Sequence, residues 1–349
     1  MQETENPRFP AFKLPLNLRY HLIRHLDPIE LLELALVSRE SWRCVQTAIP
    51  KNQIKVRANF CYRPTVSIYL GNQKNLLDEH SSVMGIGYMK VRNGYLKKEI
   101  KNELYECAGN IGRMTITWIR VWSDYLCQTF NCAMYSVSIH PDHCIGRVPL
   151  ILNWLNTRQS SIENLFFAGE RVVDEDLSVV INNCKVNHYL SISTSTIFDI
   201  KPLHPTIKTD YIRLVGIPSI SWMSIDNLIT FDCVHIDLSG FIFDEMGLNR
   251  YLKAWINGCN PRMEYLKASG HFINLEEALH DIELENGPPP KRFYNHHLLD
   301  EPFDATGGIR IRRNNEDLAT IKQEFVIRPK SQPRIQYFFT FVVWKFKLK

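Results

Sequence analysis

The chain has 349 residues, 45% of them hydrophobic and 22% charged, and a formal net charge of +4. This composition supplies a folded core and excludes a disordered or fibrous class, while so small a charge makes no electrostatic case for nucleic acid or a membrane surface as partner. Nine cysteines without a repeated spacing fit reduced thiols rather than a disulfide framework, and with them a cytoplasmic or nuclear address. The opening MQETENPRF lacks the charged-then-apolar layout of a signal peptide. The longest apolar run, Tyr337 to Trp344, falls short of the about 20 residues that span a bilayer.

The first predicted elements are three short helices between Phe12 and Ile49. Leu14-Pro15 opens them, proline being tolerated in a first helical turn. Leu18, Leu22 and Leu26, with Ile23 beside them, make an apolar stripe at helical spacing. Asp27 is a good N-cap for a second helix, with Pro28 at its first position and Glu30 at its third. That helix carries Ile29, Leu31, Leu32, Leu34, Ala35, Leu36 and Val37 around most of its circumference. Ser38 can cap a third helix, whose face holds Trp42, Val45 and Ile49 before Pro50. A unit of about 40 residues is at the limit of independent stability. Its middle helix is more apolar than two small neighbours can cover, so either a partner or the rest of the chain must cover it.

Leu14-Pro15, Leu22-Ile23, Leu26-Asp27-Pro28, Leu31, Leu34, Val37-Ser38-Arg39 and Trp42 resemble an F-box in order and spacing. Asn17 stands where an acidic residue usually follows Leu-Pro. The resemblance implies docking onto the Skp-type adaptor of a cullin-RING ubiquitin ligase, through Leu14, Pro15, Leu22, Ile23, Leu26, Leu31, Leu34 and Val37. Trp42 would serve as a structural or contact anchor.

Residues 51–135 read as a β-rich connecting region. TVSIYLG (65–71) has the look of a strand, YLKKEIKNELYECAG (95–109) of a charged amphipathic helix, and RMTITWIRVW (113–122) alternates like a strand. From 136 to 285 a period emerges. VSIHP (137–141), LFFAG (165–169), LSIST (190–194), IRLVG (212–216), IDLSG (236–240) and LKASG (266–270) share apolar first and third positions and mostly turn-compatible ends. Helical stretches fall between them, at LSVVINNC, IDNLITF, GLNRYLKAWINGC and NLEEALHDIE. Strand alternating with helix predicts a parallel sheet. Second positions are mixed, so only one face of that sheet is apolar; a leucine-rich-repeat-like solenoid with an open second face fits better than a doubly wound sheet. An ordinary α/β domain with evenly spaced strands is the alternative. The second-position row, Phe166, Ser191, Arg213, Asp237 and Lys267, is the candidate target-binding surface. From 286 to 349, NGPPP breaks the pattern. GGIRIRRNNEDLATIKQEF then predicts a hairpin turning at Asn314–Asp317, and QYFFTFVVWKF a final buried strand.

ILNWLNTRQSSIENLFFAGE, YLKAWINGCNPRMEYLKASG and the GGIRIRRNNEDLATIKQ…FVVW ending resemble the type 2 F-box-associated domain of nematode F-box proteins, over roughly residues 130 to 349. That resemblance implies a substrate-recruiting module and assigns no functional residue.

Catalytic and metal signatures are absent from the sequence. His140-Pro141-Asp142-His143-Cys144 is the densest run of ligand-type residues, without a second pair at zinc spacing. Phosphate loops, His-Glu-x-x-His and Gly-x-Ser-x-Gly do not occur, and Gly85-Ile-Gly87 lacks a third glycine. His296-His297 reads as solvated. Cys107, Cys127, Cys132 and Cys259 read as core thiols, leaving no nameable nucleophile–base pair for a thioester-forming ligase or a hydrolase. Arg310 and Arg312, like Lys345, Lys347 and Lys349, read as the wet side of a strand.

The expected fold is therefore α/β (α+β): a three-helix F-box (10–50), the connecting region (51–135), the repeat part of an F-box-associated domain (136–285), and a C-terminal hairpin and strand completing it (286–349). The expected protein is a non-catalytic adaptor without cofactor or metal. Its partners would be the Skp-type subunit, through it the cullin and RING subunits, and an unknown protein target, with neither nucleic acid nor membrane among them. A protein-interaction scaffold outside any ligase is the alternative.

Overall fold

The structure is a computed structural model that describes residues 11–62, 64–70, 111–170, 172–194, 207–216, 220, 222–296, 299, 302–313, 317–328 and 334–345. The expected helix at 95–109, Gly85, Gly87, Cys107, His297, Lys347 and Lys349 lie outside them, as does most of the turn at 314–317. The chain divides into two compact units, Met1–Ser138 and Ile139–Lys349.

The first unit begins with α1 (Leu16–Ile23), α2 (Pro28–Val37) and α3 (Arg39–Ala48). Their starts are set by the expected caps. Asp27 Oδ1 accepts the N–H groups of Ile29 and Glu30 at 2.7 and 2.9 Å. Glu30 reaches back to the Asp27 N–H at 2.9 Å, completing a capping box. Ser38 Oγ accepts from Ser41 N at 3.0 Å. Strands β1 (Ile54–Phe60) and β2 (Thr65–Leu70) pair antiparallel, and α4 (Ile111–Thr129) leads into β3 (Met134–Ile139), giving the order β3-β1-β2.

Helix α4 corrects the expected strand at 113–122. Its buried apolar residues among the described side chains are Ile116, Ile119, Trp122 and Leu126, spaced three, three and four apart as one helical face requires. The alternation of Met114, Ile116 and Trp118 with two threonines is too short to establish a period of two, and the longer window decides.

In the second unit a single-turn helix (Pro141–His143) precedes α5 (Val148–Arg158), β4 (Ile162–Gly169), α6 (Asp174–Asn183), β5 (Val186–Thr194) and β6 (Lys208–Gly216). Then come α7 (Ile225–Ile229), β7 (Asp232–Ser239), α8 (Glu245–Ile256), β8 (Tyr265–Gly270) and α9 (Leu275–Ala278), the last only one turn of the helix expected there. The small pair β9 (Phe293–Tyr294) and β10 (Phe303–Asp304) is followed by β11 (Ile309–Arg312), β12 (Leu318–Arg328) and β13 (Arg334–Trp344). Strands β4 to β8 are parallel neighbours in chain order. Strand β13 joins β8 antiparallel and carries β12 and β11 outward, giving the order β4-β5-β6-β7-β8-β13-β12-β11.

The core follows the expected one-in-two pattern. Leu165, Leu190, Ile212, Ile236 and Leu266 align strand to strand, as do Phe167, Ile192, Leu214, Leu238 and Ala268, and all ten are buried. Helix α8 packs on this face through Trp255, whose ring meets Phe341 of β13 edge-on at 5.0 Å. The β11–β12 hairpin has the expected register, Ile309 opposite Ile321 and Ile311 opposite Ala319.

Candidate interaction surfaces

In the three-helix module the structure sorts the leucines into two groups. Ile23 and Leu31 are buried, Leu31 with 1% of its surface exposed, alongside Leu32 and Leu36. Leu14, Leu26, Leu34 and Trp42 are half-buried, and Pro15 is exposed. Leu22 and Val37 stand out at 42% and 60% exposure, joined by Leu16 at 55% and Leu18 at 49%. Leu16 and Leu18 were both absent from the expected contact set, although both lie on the same short helix as Leu22. Trp42 is an internal anchor: its indole N–H donates to Thr129 Oγ1 at 2.9 Å, while Gln46 Nε2 donates to Gln128 O at 2.9 Å. Both tie α3 to the end of α4. Arg24 adds a bond from Nε to Ala48 O at 2.8 Å, holding α1 against α3.

In the second unit the row Phe166, Ser191, Arg213, Asp237 and Lys267 is brought into register across five adjacent strands. Its charges engage one another and their neighbours. Arg213 Nε lies 3.6 Å from Asp237 Oδ2, Tyr211 donates its hydroxyl to the same carboxylate at 3.5 Å, and Lys267 sits over the Phe338 ring at 4.8 Å. Beside it runs a second row, Tyr189, Tyr211, His235 and Tyr265, with successive ring centroids 4.9 to 5.9 Å apart. Burial, followed by the nearby Asp237 charge, pushes the Tyr211 phenol far above its ordinary value. Burial also raises Tyr189. Both therefore stay protonated at neutral pH, and Tyr211 acts as a hydrogen-bond donor to Asp237.

The second face is not open throughout. Over β7 and β8 the β9–β10 segment lies on it. Tyr294 stacks on Tyr265 at 5.6 Å and places its hydroxyl 3.0 Å from His235 Nε2, and Phe303 meets Tyr265 edge-on at 6.4 Å. The expectation of a wholly open face fails because tyrosines and a histidine at strand positions are polar by composition yet apolar enough in ring area to hold a covering segment. Two further expectations are corrected by the same cover. His296 is not a solvated loop residue: its ring centroid is 3.9 Å from that of His235. Arg310, only 8% exposed, lies beneath the proline segment and donates to Pro288 O at 2.9 Å, while Arg312 pairs with Glu285. Lys345 donates to Pro261 O and pairs with Asp317.

Residues 206–268 match the F-box associated family. The matched segment spans β6 through most of β8, and so contains Arg213, Asp237 and Lys267 together with the aromatic pair Tyr211 and His235. No curated protein and no solved structure matches the chain. The F-box associated segment is thus part of the mixed α/β sheet unit, which pairs an apolar face under its helices with a polar and aromatic one.

The His140–Cys144 run is a turn. Asp142 Oδ2 accepts the Glu170 N–H at 2.7 Å, Cys144 is buried, and Gly169 is so close to Pro141 that a Cβ there would approach its ring to 2.7 Å. Among the described residues no group of three or more His, Cys, Asp and Glu side chains is placed to hold a metal ion, and no helix is long and apolar enough to cross a membrane.

Proposed function

We propose that the chain is a non-catalytic substrate-recognition adaptor of an SCF-type cullin-RING ubiquitin ligase. The observation that carries this reading is a capped three-helix module with Leu16, Leu18, Leu22 and Val37 left exposed, on a chain whose residues 206–268 match the F-box associated family. The module binds the Skp-type adaptor through these side chains together with Leu14, Pro15, Leu26 and Leu34. Ile23 and Leu31 shape the surface from beneath. The polar row on the sheet holds a protein target. The chemical contribution is proximity: a lysine of the target is kept near a charged ubiquitin-conjugating enzyme, raising its effective concentration.

Because Leu22 and Val37 are exposed, Leu22→Glu with Val37→Glu leaves the module folded and abolishes co-purification with the Skp-type adaptor. Retained co-purification of a folded double variant overturns the assignment. Reversing the charges of Arg213 and Asp237 together disturbs target capture and spares adaptor binding; unchanged capture places the target elsewhere. The burial of Ile23, Leu31, Leu32 and Leu36 by this chain itself supports a second reading, a scaffold whose helices need no adaptor. Strong hydrogen-exchange protection of residues 12–49 in the isolated protein would favour it.

A further inference from the structure

Helix α4 ends in a turn that brings two cysteines together. Asn131 adopts the left-handed conformation, φ 48°, and the Cys132 N–H bonds back to Cys127 O at 3.0 Å. This is the six-to-one hydrogen bond of a Schellman motif, in which the side chains at these two positions meet. With standard bond lengths that single hydrogen bond caps the Cα separation at about 7 Å, and disulfides bridge Cα atoms roughly 4.4–6.8 Å apart. The Cys127 side chain is near enough to Cys132 to lower its thiol from the ordinary value, and both residues are partly exposed rather than buried in the core.

We propose that Cys127 and Cys132 form a peroxide-sensitive dithiol that closes to an intramolecular disulfide. The Cys132 thiolate attacks a hydroperoxide, breaking the O–O bond and leaving a sulfenic acid on Cys132 and one molecule of water or alcohol. The Cys127 sulfur then attacks the sulfenic sulfur, the S–O bond breaks, and water departs with the Cys127 proton. Two thiols are oxidised by two electrons in all, and one hydroperoxide is reduced. The nearby Cys127 side chain lowers the Cys132 pKa and favours the thiolate that starts this sequence. Burial acts the other way elsewhere, pushing Cys184 and Cys233 up to about 12 and Cys259 up to about 11. The turn between the two cysteines also carries the groups that receive Trp42 and Gln46, Thr129 and Gln128, so oxidation fastens the attachment point of α3.

The test uses the reduced full-length chain. After hydrogen peroxide and a quench, remaining thiols are alkylated under denaturing conditions and the digest is mapped by mass spectrometry. The expected product is a species lighter by two hydrogens with Cys127 and Cys132 joined, while Cys184 and Cys259 are recovered alkylated. Cys127→Ser or Cys132→Ser removes the cross-link. A second arm probes the pair without oxidation: phenylarsine oxide, which needs two adjacent thiols, protects both cysteines from alkylation in the parent and neither remaining cysteine in the serine variants. Recovery of both residues as alkylated thiols after peroxide, joining of either to a different cysteine, or failure of the arsenical to protect the pair would each overturn the proposal.

Discussion

The three-helix module and the parallel sheet manage apolar surface in opposite ways. The sheet encloses its leucines and isoleucines in two complete rows under helices, and even covers part of its polar face with the β9–β10 segment. In the module Ile23, Leu31 and a few neighbours are buried, while Leu16, Leu18, Leu22 and Val37 stay exposed. The lesson is one of coverage: short helices have fewer neighbours laid over them than a sheet face under helices, and some of their apolar side chains stay uncovered. An exposed leucine there is informative in a way that a buried one in the sheet is not.

The contrast can be broken first in the sheet. Trp255 has no measurable exposure and packs on Phe341, so Trp255→Ala is expected to cost about 3–5 kcal/mol, read as a lower urea midpoint of the second unit. In the module, Leu31→Ala is expected to cost about 2–5 kcal/mol, whereas Leu22→Ala stays within about 0.5 kcal/mol. Equal losses for those two leucines in thermal melts would erase the distinction between sealed and exposed positions. Asp27→Ala removes the acceptor for two helix N–H groups and is expected to cost about 1 kcal/mol, with the loss appearing as helical signal from the module. The pairing of Arg213 with Asp237 is half exposed, and a double-mutant cycle should return a coupling below about 1 kcal/mol. A larger coupling would make that row a stability element rather than a surface left for a partner.

The smallest effect concerns pH. The hydrogen bond from Arg312, followed by its charge, holds the Glu285 carboxyl below its ordinary value. Between the folded and unfolded values the unfolded chain binds more protons, so this contribution is present above the ordinary carboxylate range and is lost as pH falls through it. Glu285→Gln should flatten that part of an acid titration of stability. An unchanged acid limb would mean that the pair contributes nothing in solution.

Much of this organisation was legible in the residues. Asp27, Pro28 and Glu30 declare a helix start through side-chain chemistry that acts within four residues. The five aligned strands were legible because alternation of apolar side chains reports one-sided burial directly. What failed to be read depended on contacts distant in sequence. Arg310 looks like a solvent-facing strand residue until the segment around Pro288 is laid over it, and Tyr265 carries no local sign that Tyr294 will stack on it. The placement of the candidate surfaces was legible in the same proportion. The row from Phe166 to Lys267 follows from alternation alone, but separating Leu22 from Leu31 requires knowing which side of a crowded helix its neighbours occupy.

Strand β13 has a consequence for how the molecule is made. It occupies the edge of β8, pairing Tyr337 with Gly270 and Val342 with Tyr265, yet it is translated about 70 residues later. At ribosomal rates of about 5–20 residues per second, the β8 edge waits roughly 4–14 s for its neighbour during synthesis. Through that interval the nascent sheet presents an unprotected hydrogen-bonding edge, a template for mispairing and a reason for chaperones to attend the growing chain.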